Sequence, residues 1–169
     1  PDGSGPDAAP ATAFVYDAVG NLVAVSDPLG HLTEYGYDVL NRNTSVKDAL
    51  GQTRRNVYDA AGNLVASVDA AGQTTSYGYD NLYRLTSVTQ TDPDGAAGAQ
   101  TAPVTRYGYD IKGNRTSVTD ALGRTTLTEY DALSRVVKVT DALHGVSTVE
   151  RDAAGNIVKT TDALNRSTR

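Results

Sequence analysis

Aspartate is the residue type whose spacing first suggests chemistry. Of 20 acidic residues 17 are aspartates, and 13 of these share one register: Asp17, Asp27, Asp38, Asp48, Asp59, Asp69, Asp80, Asp110, Asp120, Asp131, Asp141, Asp152 and Asp162. Steps of 10 and 11 residues alternate, with a single step of 30 between Asp80 and Asp110. Carboxylates in series suggest Ca²⁺, which takes roughly six to eight oxygens. One carboxylate per step is too few unless neighbouring steps stack. The companion residues point to turns instead. Three positions after these aspartates stand eight glycines, Gly20, Gly30, Gly51, Gly62, Gly72, Gly113, Gly123 and Gly155, with Asn41 and Asn165 in two further places. Asp-x-x-Gly fits a type I turn in which the carboxylate accepts backbone N–H groups and the fourth residue turns left-handed. That unit joins antiparallel strands through a bulge. Tyr83, Ser134 and His144 break the pattern, and Gly145 is expected to serve for His144.

Little other chemistry is available. The absence of cysteine excludes disulfides, thiolate zinc sites and thiol catalysis. Two histidines, His31 and His144, are too few for a His-based metal site or a Ser-His-Asp triad, and both read as solvated turn residues. Asp92 and Asp94 are the close acidic pair outside the register. Arg54, Arg55 and Arg106 read as a solvated strand face that offsets Glu34, Glu129 and Glu150. No paired carboxylates, phosphate loop or nucleophile constellation emerges. The expectation is a protein that is not an enzyme, with no catalytic residue, metal or cofactor. The net charge of −5 disfavours nucleic acid as a partner. No apolar run approaches the ~20 residues of a membrane-spanning helix.

The elements that hold the aspartates form a repeat. Tyrosine precedes aspartate at Tyr16-Asp17, Tyr37-Asp38, Tyr58-Asp59, Tyr79-Asp80, Tyr109-Asp110 and Tyr130-Asp131, and Arg151-Asp152 keeps the register. Tyr16, Asp17, Gly20, Tyr37, Asp38, Tyr58, Asp59, Gly62, Tyr79, Asp80, Tyr109, Asp110, Gly113, Tyr130, Asp131, Asp152 and Gly155 are thus the repeat-defining structural residues. Between turns lie segments of about six residues rich in Val, Thr and Tyr, which favour strands. Val23/Val25 and Thr44/Val46 alternate in the first strand of a repeat, and Thr33-Tyr35-Tyr37, Thr75-Tyr77-Tyr79 and Thr105-Tyr107-Tyr109 in the second. Gly36, Gly78 and Gly108 sit between paired tyrosines, where a missing side chain admits close packing. The reading is all-β: antiparallel hairpins of 21 residues in a long meander of roughly 14 strands, which must twist or curl. Leu, Ile, Val and Phe are only about 20% of the chain, so stability must come from neighbouring repeats.

Residues 1–12 read as a flexible leader, and residues 13–169 as seven repeats with a loop insertion at about 90–104. The leading proline and the repeat interrupted at Arg169 suggest a piece of a longer chain.

The run YDAAGNLVASVDAAGQTTSYGYD at 58–80 resembles the YD repeat of Rhs proteins, shared with wall-associated proteins, insecticidal toxin complexes and teneurins. The resemblance covers residues 14 to 169. It implies a β-sheet that spirals into a hollow shell able to enclose a toxic C-terminal domain, in proteins that are secreted or displayed at the cell surface. It also implies a link to carbohydrate binding. The family's self-cleaving core has no counterpart here. Asp27-Pro28-Leu29-Gly30 looks like its Asp-Pro-x-Gly but occupies an ordinary turn position.

Three functions compete at this point. The first is a structural wall segment whose partners are neighbouring repeats, other copies through exposed sheet edges, and a toxin cargo. The second is a carbohydrate- or cell-surface-binding module. There Tyr35, Tyr77 and Tyr107, replaced by Asn56 and Thr128 in other repeats, would stack on sugar rings. The third, an acidic linker, conflicts with the strict register.

Overall fold

The computed structural model describes residues 11–95, 98 and 100–169, so most of the leader and part of the insertion lie outside the described residues. The strands are β1 (Ala13–Tyr16), β2 (Leu22–Ser26), β3 (Leu32–Tyr37), β4 (Asn43–Lys47), β5 (Thr53–Tyr58), β6 (Leu64–Val68), β7 (Thr74–Tyr79), β8 (Leu85–Thr89), β9 (Val104–Tyr109), β10 (Arg115–Thr119), β11 (Thr125–Tyr130), β12 (Val136–Thr140), β13 (Val146–Arg151), β14 (Ile157–Thr161) and β15 (Ser167–Thr168). Strand order follows chain order in one 15-stranded open antiparallel sheet, with no helix among the described residues. The all-β hairpin meander expected from the repeat is therefore present. The fifteenth strand is the two-residue β15, at the place where the period puts the next strand, residues 167–169. Two compact units divide the chain between Thr75 and Ser76.

The turns form for the reason the sequence suggested. At Asp59 the backbone N–H donates to Asn63 O at 2.9 Å, and Gly62 N donates to Asp59 O at 3.2 Å. Gly62 has φ +95°, a region from which Cβ bars other residues. Asn41, Tyr83, Ser134, His144 and Asn165 adopt φ between 59° and 66° at the equivalent places. His144 therefore takes the left-handed position itself, at φ 66°, and Gly145 does not replace it.

Where a Tyr-Asp hairpin closes, the ladder slips by one residue, between Gly36 and Tyr37 and between Glu129 and Tyr130 for example. In β3–β4, Gly36 pairs with Ser45 and Tyr37 with Asn43, which leaves Thr44 as the bulged residue. The expected Thr44/Val46 alternation is thus interrupted, and only Val46 meets a partner, Tyr35, directly. No hydrophobic side chain is buried among the described residues. Each unit is a single layer held by its ladder and by contacts between adjacent strands.

Candidate functional site

Pairing sorts the strand residues onto two faces. In the first unit one face runs through the ladder Phe14–Val25–Thr33, then Tyr35–Val46–Arg54, then Asn56–Ser67. In the second it runs through Tyr77–Val88–Thr105, Tyr107–Val118–Thr126, Thr128–Val139–Ser147 and Val149–Thr160–Thr168. Aromatic, β-branched and hydroxyl side chains dominate this face, and Arg54 is the charge in these ladders.

The opposite face carries the ion pairs. Lys47 Nζ lies 2.8 Å from Glu34, Lys138 Nζ 2.8 Å from Glu129 and Lys159 Nζ 2.7 Å from Glu150. The glutamates are thus offset by cross-strand lysines, not by Arg54, Arg55 and Arg106. Arg54 and Arg55, being consecutive in a strand, point to opposite faces. Such exposed pairs contribute ~0–1 kcal/mol each.

The candidate stacking residues sit on the Tyr/Val/Thr face. Tyr35 and Tyr107 are half-buried, and neither hydroxyl has a hydrogen-bond partner among the described residues. Arg115 lies over the Tyr107 ring at 5.7 Å from its centroid. Tyr77 holds the same register place as Tyr35 and Tyr107. Between the paired tyrosines the opposite face is filled by serine. A Cβ on Gly36, Gly78 or Gly108 would land on the hydroxyl of Ser45, Ser87 or Ser117. Where the ladder carries Asn56 and Arg54 in place of Tyr and Thr, an open concavity of about 670 Å³ forms, lined by Gln52, Arg54, Asn56, Ser67 and Asp69 among others.

The repeat-defining residues are committed to structure. Tyr37 donates to Leu22 O at 2.9 Å, Tyr58 to Asn43 O at 3.1 Å, Tyr109 to Leu85 O at 2.9 Å and Tyr130 to Arg115 O at 3.0 Å. Each bond ties one hairpin to the one before it. Tyr16, in β1, is exposed. In the turns, Asp17 Oδ1 accepts Val19 N at 3.0 Å and Asn21 N at 2.8 Å, while Oδ2 accepts Asn21 Nδ2 at 2.8 Å. Asp38, Asp80 and Asp131 hold Arg42, Arg84 and Arg135 in the same way at 2.7 Å. Asp110 and Asp152 hold Asn114 and Asn156.

These bonds favour the ionised carboxyl. The Asn21, Asn63 and Asn114 amides, helped by turn N–H groups and opposed by desolvation, keep Asp17, Asp59 and Asp110 below the ordinary carboxyl value. At Asp38 desolvation pushes upward, but the Arg42 N–H and guanidinium outweigh it. His31 is not simply solvated: its Nδ1 lies 2.7 Å from Asp27 Oδ2. Among the described residues no cluster of His, Cys, Asp or Glu is arranged to hold a metal ion.

The residue four places after each Tyr-Asp aspartate escaped the sequence reading. It alternates Asn21, Arg42, Asn63, Arg84, Asn114, Arg135, Asn156, and lining up the repeats would have exposed it.

Residues 16–53, 58–97 and 112–146, more than half of the chain, match the RHS Repeat family. No curated protein matches the chain. Among solved structures, TcdB2-TccC3-Cdc42 is similar at TM-score 0.74 and 20% identity, over 94% of this chain and 10% of that one. TcdB2-TccC3 gives TM-score 0.73 and 19% identity over 94% and 10%. The Photorhabdus luminescens Tc holotoxin pore gives TM-score 0.71 and 18% identity over 94% and 9%. At such identities the likeness is one of fold, and the chain spans about a tenth of the length of those chains.

Proposed function

The chain belongs to the RHS repeat family, and we propose that it is a non-catalytic wall segment of a larger secreted or surface-displayed shell that encloses a C-terminal toxin. One observation carries this reading: the polar groups that recur with the repeat are spent on holding hairpins together. The register carboxylates bind turn N–H groups, and the Tyr-Asp hydroxyls bind carbonyls of the preceding hairpin. Residues 13–169 act as one array of seven repeats, with the insertion at about 90–104 as a decoration. The Tyr/Val/Thr face lines the enclosed space, and the Lys–Glu face meets solvent. Exposed leucines at turn tips, such as Leu29 and Leu50 at 81% and 84% exposure, suit contact with other repeats.

The test is limited proteolysis of the full chain that carries these repeats. Segments after the array should resist digestion, and Val118→Pro, which breaks a strand facing that space, should release them. Undiminished protection in Val118→Pro, with the variant folded, contradicts the wall role.

A second reading, a saccharide-binding module, is favoured by the hydroxyls of Tyr35 and Tyr107, which find no partner among the described residues. Glycan binding by this chain that disappears in both Tyr35→Ala and Tyr107→Ala would establish it. No binding in a glycan panel would remove it.

A further inference from the structure

The turns along the Tyr-Asp edge are of two kinds, and they alternate without exception. Gly20-Asn21, Gly62-Asn63, Gly113-Asn114 and Gly155-Asn156 are interleaved with Asn41-Arg42, Tyr83-Arg84 and Ser134-Arg135. Their backbones differ as well. The four glycines have φ of 92°, 95°, 90° and 93°, whereas Asn41, Tyr83 and Ser134 lie at 59°, 61° and 61°.

The arginine turns reach forward. Arg42 grips its own Asp38 through Nε at 2.7 Å and donates from Nη1 to Asp59 O, in the next turn of this edge, at 3.0 Å. Its guanidinium lies over the Tyr58 ring, 4.7 Å from the centroid. Arg84 repeats each contact: 2.7 Å to Asp80, 3.0 Å to Asp110 O and 4.7 Å from the Tyr109 centroid. Arg135 holds Asp131 at 2.7 Å, and its Nη1 lies 2.6 Å from where a Cβ on Gly155 would stand. At this seam a side chain in place of Gly155 would meet the guanidinium, whereas Gly62 and Gly113 leave the corresponding space open. The asparagine turns make no charged or ring-covering contact of this kind: Asn63 and Asn114 bond to their own Asp59 and Asp110, and Asn21 reaches forward only by a neutral amide bond from Nδ2 to Asn41 Oδ1 at 2.9 Å. Between the Asp110 and Asp131 turns the crossing contact is the exposed Lys112 ammonium on Ala132 O at 2.6 Å.

We propose that the cooperative unit of this sheet is a pair of hairpins, about 42 residues, in which an arginine turn clasps the glycine-asparagine turn that follows. The seams between hairpins then alternate between clasped and unclasped. The tyrosine-to-carbonyl bond crosses both kinds, since Tyr109 and Tyr130 each make it. At β4–β5 and β8–β9 the clasp adds a charge-assisted hydrogen bond and a cation–π contact; at β12–β13, where Arg151 takes the tyrosine place, the guanidinium of Arg135 lies close to Gly155 without a ring to cover. The three stretches that match the family fit this period, because each opens at a glycine-asparagine turn. The 21-residue repeat is therefore the unit of sequence, and its double is the unit of stability.

Native-state hydrogen exchange on the intact chain tests this. Amides bridging β4–β5, a clasped seam, should exchange about fivefold more slowly than those bridging β10–β11, an unclasped one. The clasped β8–β9 seam should follow β4–β5. Equal protection across β10–β11 and β4–β5, or the reverse order, would overturn the proposal. A graft gives a second readout. Asn114→Arg together with Ser134→Gly installs a clasp at β10–β11 and should slow exchange there by about the same factor. Asn114→Arg alone, facing the Ser134 side chain, should achieve less. A folded double variant with unchanged β10–β11 exchange would also overturn the proposal.

Discussion

Replacing Gly78 by alanine tests the close packing between strands most sharply. Gly78 lies in β7 opposite Ser87 of β8, and an added Cβ would collide with the Ser87 hydroxyl while staying 3.7 Å from the Ser87 Cβ. Two effects oppose each other. Alanine in a strand interior recovers ~0.5–1 kcal/mol of the entropy that glycine loses on folding. Relieving the collision, by turning the serine or spreading the strands, costs ~1–3 kcal/mol. The collision should win, so Gly78→Ala should destabilise by ~0.5–2 kcal/mol. Ser87→Ala alone removes one half-exposed hydroxyl and should stay within ~0.5 kcal/mol of the parent. In the double variant the two Cβ atoms would sit at ordinary contact distance, and stability should return to the parent value or above it. The coupling, measured by urea unfolding of the four proteins, should be at least ~1 kcal/mol. Additive effects would mean that the serine hydroxyl does not occupy that space. The same cycle should hold for Gly108 and Ser117, whose Cβ would be 3.6 Å away.

Gly62→Val forces a β-branched residue to φ +95° and should cost ~1–2 kcal/mol in urea melts, whereas Val65→Thr should be mild. Equal mildness of both would refute the turn geometry. Acid should unfold the chain through its turns: Asp59 titrates below its ordinary 3.8 in the fold, so its contribution is complete above that value and is lost as pH falls through the lowered one. Urea midpoints should therefore be level from pH 7 to about 5 and drop below about 4, and a midpoint unchanged at pH 3 would contradict the capping role. The register carboxylates already accept two N–H groups, so calcium should not raise the melting temperature beyond what magnesium does; a calcium-specific rise of several degrees would return the aspartates to metal binding. Among the described strands β1 is hydrogen-bonded to β2 alone, and it exposes Phe14 and Val15 by 56% and 53%. Light scattering should accordingly show concentration-dependent association that Val15→Pro reduces, and monomers at every concentration would argue against edge pairing.

Much of the fold could be read from the chain because its two strongest determinants are local. Aspartate followed three places later by glycine or asparagine defines a turn within five residues, and alternating Val, Thr and Tyr define the strands between. Seven copies make both patterns plain. What escaped depends on contacts between repeats. The bulge at Thr44 arises from matching two hairpin strands, so simple alternation misplaces it. The pairing of Glu34 with Lys47 depends on cross-strand register and not on the number of nearby arginines. The forward reach of Arg42 and Arg84 joins residues 17 and 26 apart, and the alternation that marks it appears only between repeats. The site is less legible than the fold for a physical reason: on a single-layer sheet the same tyrosines serve packing or binding, and their type does not distinguish the two.

The central question is which face of the sheet is enclosed in the full-length protein, and residues 1–169 contain no cysteine to interfere with site-specific labelling. Single cysteines would be placed at Val118 on the Tyr/Val/Thr face and at Arg106 on the Lys–Glu face, any cysteine outside residues 1–169 replaced by serine, and the intact full-length chain treated with a bulky maleimide. The wall model predicts rapid labelling of Arg106→Cys, with Val118→Cys labelled only after denaturation. Equal labelling of both positions in the native protein would contradict it.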